Sequence, residues 1–154
     1  MYQALLFIHT YFRWLVLLSL LLATGRAGIG AAKGAVFTAR DNALRHWTAT
    51  IAHVQLLIGM VLYFQSPVVQ YVLRGTDSSK GLDEPRFFAW IHAGMMLLAI
   101  LVLSIGSALA KRRRSDRDKF RTMLLWFAAA LFLILLAIPW PFAPFAQRAY
   151  IRTF

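Results

Sequence analysis

The sequence predicts an all-α integral membrane protein, a single-domain four-helix bundle of up-down-up-down topology. Three observations carry this expectation. The 154 residues are 60% hydrophobic, whereas a soluble domain stands nearer half. The apolar residues gather into four runs, each long enough to cross roughly 30 Å of hydrocarbon. The charges, +11 in net, gather in the short connections between those runs.

The spans run from about 2 to 24, 43 to 64, 87 to 110 and 122 to 138, all within one domain, 1–154. The first lacks a basic n-region, is too long for a signal h-region and contains Arg13, so it reads as a retained span. The first connection carries Arg26, Lys33, Arg40 and Arg45 against Asp41. The third, KRRRSDRDKFR, carries seven basic residues against Asp116 and Asp118. The second, Ser66 to Arg86, is balanced, with three of each sign. The positive-inside rule then puts the first and third connections in the cytoplasm. The N-terminus, the second connection and the C-terminal tail face the periplasm, and the chain belongs in a bacterial inner membrane. This topology explains the basic balance better than nucleic-acid binding does. The glycines of GRAGIGAAKG lack the strand-then-helix setting of a nucleotide loop and read as a flexible connection. SPVVQYVL suggests a short interfacial helix. PWPFAPF ends the fourth span by removing backbone donors.

Three of the four histidines fall inside spans: His9, His53 and His92. Ionisable residues at such positions are rare and usually face a bundle interior or a cofactor. The bland reading is a neutral imidazole hydrogen-bonded between helices, and it weakens when three occur in so short a chain. His46, beside Trp47, reads as an interfacial residue. His9 and His92 lie at matching depth, roughly 8–11 Å below the periplasmic edge, on helices that run the same way. His53 lies roughly 16 Å deep and enters from the second span as an alternate ligand or a pocket wall. Small residues near them (Ala52, Gly59, Ala89, Ala93, Gly94) make room for a planar ring or let helices pack closely.

Neutral imidazoles in a bundle interior suit a b-type haem. The absence of cysteine excludes disulfides, thiolate metal ligands and covalent haem attachment. A three-histidine zinc or copper site is the competitor. No carboxylate lies inside any span, so Arg13, one turn from His9 and on the same helix face, meets no acidic residue there. An anionic group such as a haem propionate answers that charge, with lipid or packing as the alternative.

The stretches HTYFRWLVLL, HVQLLIGMVLYF, HAGMMLLAI and IPWPF resemble those of small bacterial four-span membrane proteins described as cytochrome b-like, common in the Bacteroidetes group. The similarity runs over nearly the whole chain. It implies a non-covalent haem b and carries His9, Arg13, Trp14, His53, Gln55 and His92 over as cofactor-binding positions. Those proteins often carry an acidic residue before the third-span histidine and a proline after it; here Ile91 and Ala93 stand there.

The function expected is membrane electron transfer through a bis-histidine haem in the periplasmic half, exchanging electrons with quinol or a neighbouring redox protein. A quinone is a second candidate cofactor. The alternatives are an accessory subunit of a respiratory or photosynthetic complex, or a metal- or haem-handling protein. The partners expected are the lipid bilayer and redox subunits, with no nucleic acid. Nothing resembles a hydrolytic or group-transfer site, so any enzyme here would be an oxidoreductase subunit.

Overall fold

The computed structural model describes residues 1–75, 83–144 and 146. Asp77 and Lys80 of the second connection and the tail beyond 146 lie outside the described residues. Every element among the described residues is helical: α1 (Tyr2–Lys33), α2 (Ala39–Gln65), α3 (Pro67–Leu73), α4 (Glu84–Arg86), a π-helical segment (Phe87–His92), α5 (Ala93–Arg112) and α6 (Asp116–Ala137). Four helices are long and apolar enough to cross a membrane: α1, α2, the continuous run Glu84–Arg112, and α6. Large apolar side chains such as Leu18, Leu22, Leu57, Leu125 and Phe132 stand exposed on their outer faces. Such faces fit lipid, where the surroundings are as apolar as the side chains themselves.

The glycine-rich stretch is not the flexible connection the sequence suggested. α1 continues through it to Lys33 and ends at Gly34, whose φ of 60° gives the left-handed stop that favours glycine. The glycines are there for close approach. A Cβ on Gly30 would come within 2.6–2.7 Å of the Phe120 ring on α6. Gly106 of α5 packs against Trp126 of α6 just as tightly, because a Cβ there would overlap the Trp126 Cβ. Small residues at these crossings let large ones interlock, which is how apolar helices associate without a hydrophobic driving force.

Three polar devices hold the end of the bundle that carries the basic connections. Thr38 and Asp41 form a capping box at the start of α2. Arg26 of α1 grips Asp41 through Nε and Nη2, at 2.6 and 3.1 Å, a planar two-point pairing that suits guanidinium and carboxylate. Arg45, assigned by its charge to the connection, lies inside α2 and is buried. It bonds Asn42 at 2.9 Å, the Ser107 carbonyl at 3.0 Å and the Ser107 hydroxyl, so its charge is spread over α2 and α5.

α1 packs on α2 and α6, and α5 packs on α6 and α2. The dry core is confined to one part of this bundle. In α1 every buried side chain lies at Val16 or beyond, and in α5 at Ala99 or beyond. Phe120, Phe127, Leu20, Leu103 and Met123 fill that region. Before Val16 and Ala99 the helices enclose a cavity instead.

Gly30→Ala should lower stability by about 1–2 kcal/mol, because overpacking outweighs the helix-propensity gain. Gly25→Ala, with nothing within 4 Å of the added Cβ, should leave stability unchanged or raise it slightly. Thermal unfolding of the two variants in one detergent measures the difference.

Candidate functional site: a cavity between two facing histidines

The cavity measures about 920 Å³ and is bounded by α1, α2, α3, the π segment, α5 and the end of α6. This lies in the range of cofactor and small-molecule sites, which are mostly apolar with a few convergent polar groups. Ala52, Gly59, Ala89, Ala93 and Gly94 all line it, so the small residues picked out by sequence do open space beside the histidines. Its polar lining includes His9, Arg13, Gln55 and His92, together with Tyr2, Thr10, Tyr63 and Ser66.

His92 is placed by two irregularities of the backbone. It closes the π-helical segment Phe87–His92. A π turn carries an extra residue and shifts the helical phase, and such turns occur frequently at functional sites. The Tyr63 hydroxyl of α2 donates to the Ala89 carbonyl within this segment at 3.0 Å. The imidazole packs beside Phe87 and Phe88, at centroid distances of 6.2 and 5.8 Å. Its Nδ1 lies 2.8 Å from the Ala137 carbonyl at the end of α6.

That carbonyl is available for a reason written in the sequence. In an α-helix the carbonyl of residue i accepts from the N–H of i+4. For Leu135 and Ala137 those positions are Pro139 and Pro141, which have no N–H. Trp140 Nε1 donates to the Leu135 carbonyl at 2.9 Å, and His92 Nδ1 serves Ala137. A carbonyl only accepts, so His92 carries a proton on Nδ1, and its neutral form presents a lone pair at Nε2.

His9 faces His92 from α1, with the ring centroids 6.5 Å apart and the planes at 71°. Its ring edge fits against Gly59 of α2, where a Cβ would stand 3.1 Å from Cε1. Gln55, one turn before Gly59, donates from Nε2 to the His9 carbonyl at 2.9 Å. His9 Nδ1 and Gln55 Oε1 are both buried with no hydrogen-bond partner among the described residues. Unpartnered buried polar atoms are costly and mark a place where a ligand or an ordered water belongs.

The spacing of the two imidazoles decides what they can hold together. Two nitrogen–metal bonds of about 2 Å each, plus the depth of each ring, separate the centroids by roughly 6 Å. The observed 6.5 Å is comparable to that figure, and it equally suits an edge-on contact between two rings.

The remaining candidates divide by helical phase. Arg13 lines the cavity, with its guanidinium carbon 5.3 Å from the Trp14 ring centroid. Trp14 itself points away from the cavity, and its ring lies 6.3 Å from that of Trp140. His53 does not join the other two histidines. It is on the outer face, with Nδ1 2.7 Å from the Ala49 carbonyl of its own helix and Nε2 3.1 Å from the Ser104 hydroxyl of α5. Among the described residues no group of three or more His, Cys, Asp or Glu gathers to hold a metal, so the three-histidine zinc or copper site does not assemble. His46 lies against Trp47 at 5.6 Å, as an interfacial pair would. The sequence reading missed Tyr63. Its signal was a lone tyrosine one turn beyond Gly59, on the same helix stripe.

Comparison of the chain with protein-family models, with curated proteins and with solved structures returns no match to any of them.

Tyr63→Phe should cost about 0.5–1.5 kcal/mol, the net worth of one hydrogen bond. The loss should concentrate in the π segment. Hydrogen exchange at amides 87–94 should quicken in the variant, while amides of α6 between 120 and 134 stay protected.

Proposed function

We propose that this chain is a haem-b-binding electron-transfer protein of a bacterial inner membrane, in which His9 and His92 hold the iron. The observation that carries this reading is the 6.5 Å separation of the two imidazoles across a largely apolar cavity. A bound haem supplies a one-electron iron couple. The chain's own residues do the rest. His92, protonated at Nδ1 by its bond to Ala137, offers Nε2 as a ligand, the outer hydrogen bond fixing ring orientation as metal-binding histidines require. Were both imidazoles to hold the iron, they would favour electron transfer over oxygen chemistry. Arg13 on the cavity wall is the group suited to bind a propionate. Ala89, Ala93 and Gly94 are small enough to give clearance to a flat ring, and the walls are largely apolar.

In the same reading the topology is up-down-up-down with a periplasmic N-terminus, as the basic first and third connections favour. The cavity then opens toward the periplasmic half, and a membrane quinol or an adjoining redox subunit is the electron partner. The resemblance to cytochrome b-like four-span proteins points the same way.

The test is purification in mild detergent with haem extraction and a reduced-minus-oxidised spectrum. A b-type signal is expected in the unaltered protein. It should fall by more than tenfold in His9→Ala and His92→Ala and persist in His46→Ala and His53→Ala. A preparation free of haem when expressed with haem supplied, or one holding copper or zinc in its place, would overturn the reading.

A further inference from the structure

We infer that Gln55 positions His9, its carboxamide oxygen taking the Nδ1 proton of the imidazole through one bridging water and so leaving Nε2 to face His92. Two independent observations lead here. The first is the pair of buried polar atoms without partners, His9 Nδ1 and Gln55 Oε1. One can donate and the other can only accept, so they are complementary. The second is the fixed frame around them. Gln55 is tied to the His9 carbonyl through its Nε2 at 2.9 Å, which settles which end of the carboxamide is oxygen and holds it beside α1. The imidazole is seated in the niche at Gly59, where a Cβ would lie 3.7 Å from Nδ1. Gln55 and Gly59 are separated by one helical turn, roughly 5–6 Å between Cβ positions. One water bonded to both atoms would satisfy the two at once.

The consequence is a shared tautomer. His92 receives its Nδ1–H form from a backbone carbonyl. His9 receives the same form from a side chain on the neighbouring helix. Both rings then turn their basic nitrogens toward each other. The proposal rests on the reading of the histidine pair as ligands for its purpose, but its test does not.

The experiment is nitrogen NMR of the haem-free protein labelled with ¹⁵N-histidine in detergent, with His9→Gln used to assign the His9 signal. In the unaltered protein His9 should be in the Nδ1–H form. In Gln55→Leu the tautomer ratio should move at least tenfold toward Nε2–H, whereas Gln55→Glu, which keeps an acceptor but loses the donor to the His9 carbonyl, should retain Nδ1–H. A purely structural role for Gln55 predicts the opposite pattern: lower stability in both variants and no change of tautomer. An Nε2–H His9 in the unaltered protein overturns the proposal without recourse to any variant, and so does an unchanged ratio in Gln55→Leu. If the protein loads haem, Gln55→Leu should also raise the midpoint potential by about 59 mV, a tenfold change for a one-electron couple. If it does not, the haem reading fails and the tautomer still decides the role of Gln55.

Discussion

In apolar surroundings each backbone N–H and C=O must find its partner inside the chain, because no water is there to serve. That constraint explains why every described element is a helix. It also explains the polar side chains at the cavity end. At several places where the helical ladder is broken there, a side chain closes it. Two prolines leave the carbonyls of Leu135 and Ala137 without donors, and Trp140 and His92 supply them. The π segment exposes the Ala89 carbonyl to Tyr63. His92 is thus not an isolated polar intrusion. It is required by the way α6 ends, and the same bond fixes which of its nitrogens is free.

Small residues serve opposite ends of the bundle in opposite ways. Gly30 and Gly106 are covered by Phe120 and Trp126, so their missing side chains become close packing. Gly59 and Gly94 line the cavity; the missing side chain of Gly59 admits the His9 ring, and that of Gly94, with nothing within 4 Å, leaves space. The difference lies in what stands opposite. Where a large aromatic faces the glycine the helices close, and where nothing does, as at Gly94, the interior stays open. The tightly packed region, with its buried Arg45 network and the Arg26–Asp41 pair, fixes the helices, and their open ends define the cavity. Separating a rigid support from a pre-formed site is what holding two side chains at a fixed spacing demands.

Much of this was legible in the sequence, for reasons that can be named. Span number and approximate placement follow from apolar length alone. His9 and Arg13, one turn apart, do share the cavity face. Helical phase also carried more than was drawn from it. Ala52, Gln55, Leu56 and Gly59 form one i, i+3, i+4, i+7 stripe, and all four line the cavity; His53 and Trp14 fall outside the stripes of their helices and point outward. The glycine-rich extension of α1 was misread because glycine weakens a helix in isolation, while tight packing against α6 reverses the balance. The π segment was not legible, since it depends on Tyr63 and on the end of α6, both distant in sequence. The expectation of a bilayer environment is met by four helices of suitable length and composition, whereas haem, quinone and redox partners stand as the proposal made above.

The two histidines are alike in chemistry and unlike in support, and this bears on how the site could work. His92 is held by a main-chain carbonyl at a proline-terminated helix end, an acceptor no side-chain substitution can remove. The His9 ring fits against Gly59, and in the arrangement inferred above the Gln55 carboxamide would orient it, both of which a single substitution alters. In the proposed reading the first ligand is therefore constant and the second adjustable. A hydrogen bond to the outer nitrogen of a ligating imidazole raises its basicity and tunes the metal it holds. The unequal support of His9 and His92 would, in that reading, place such tuning at Gln55, on the seam between α1 and α2.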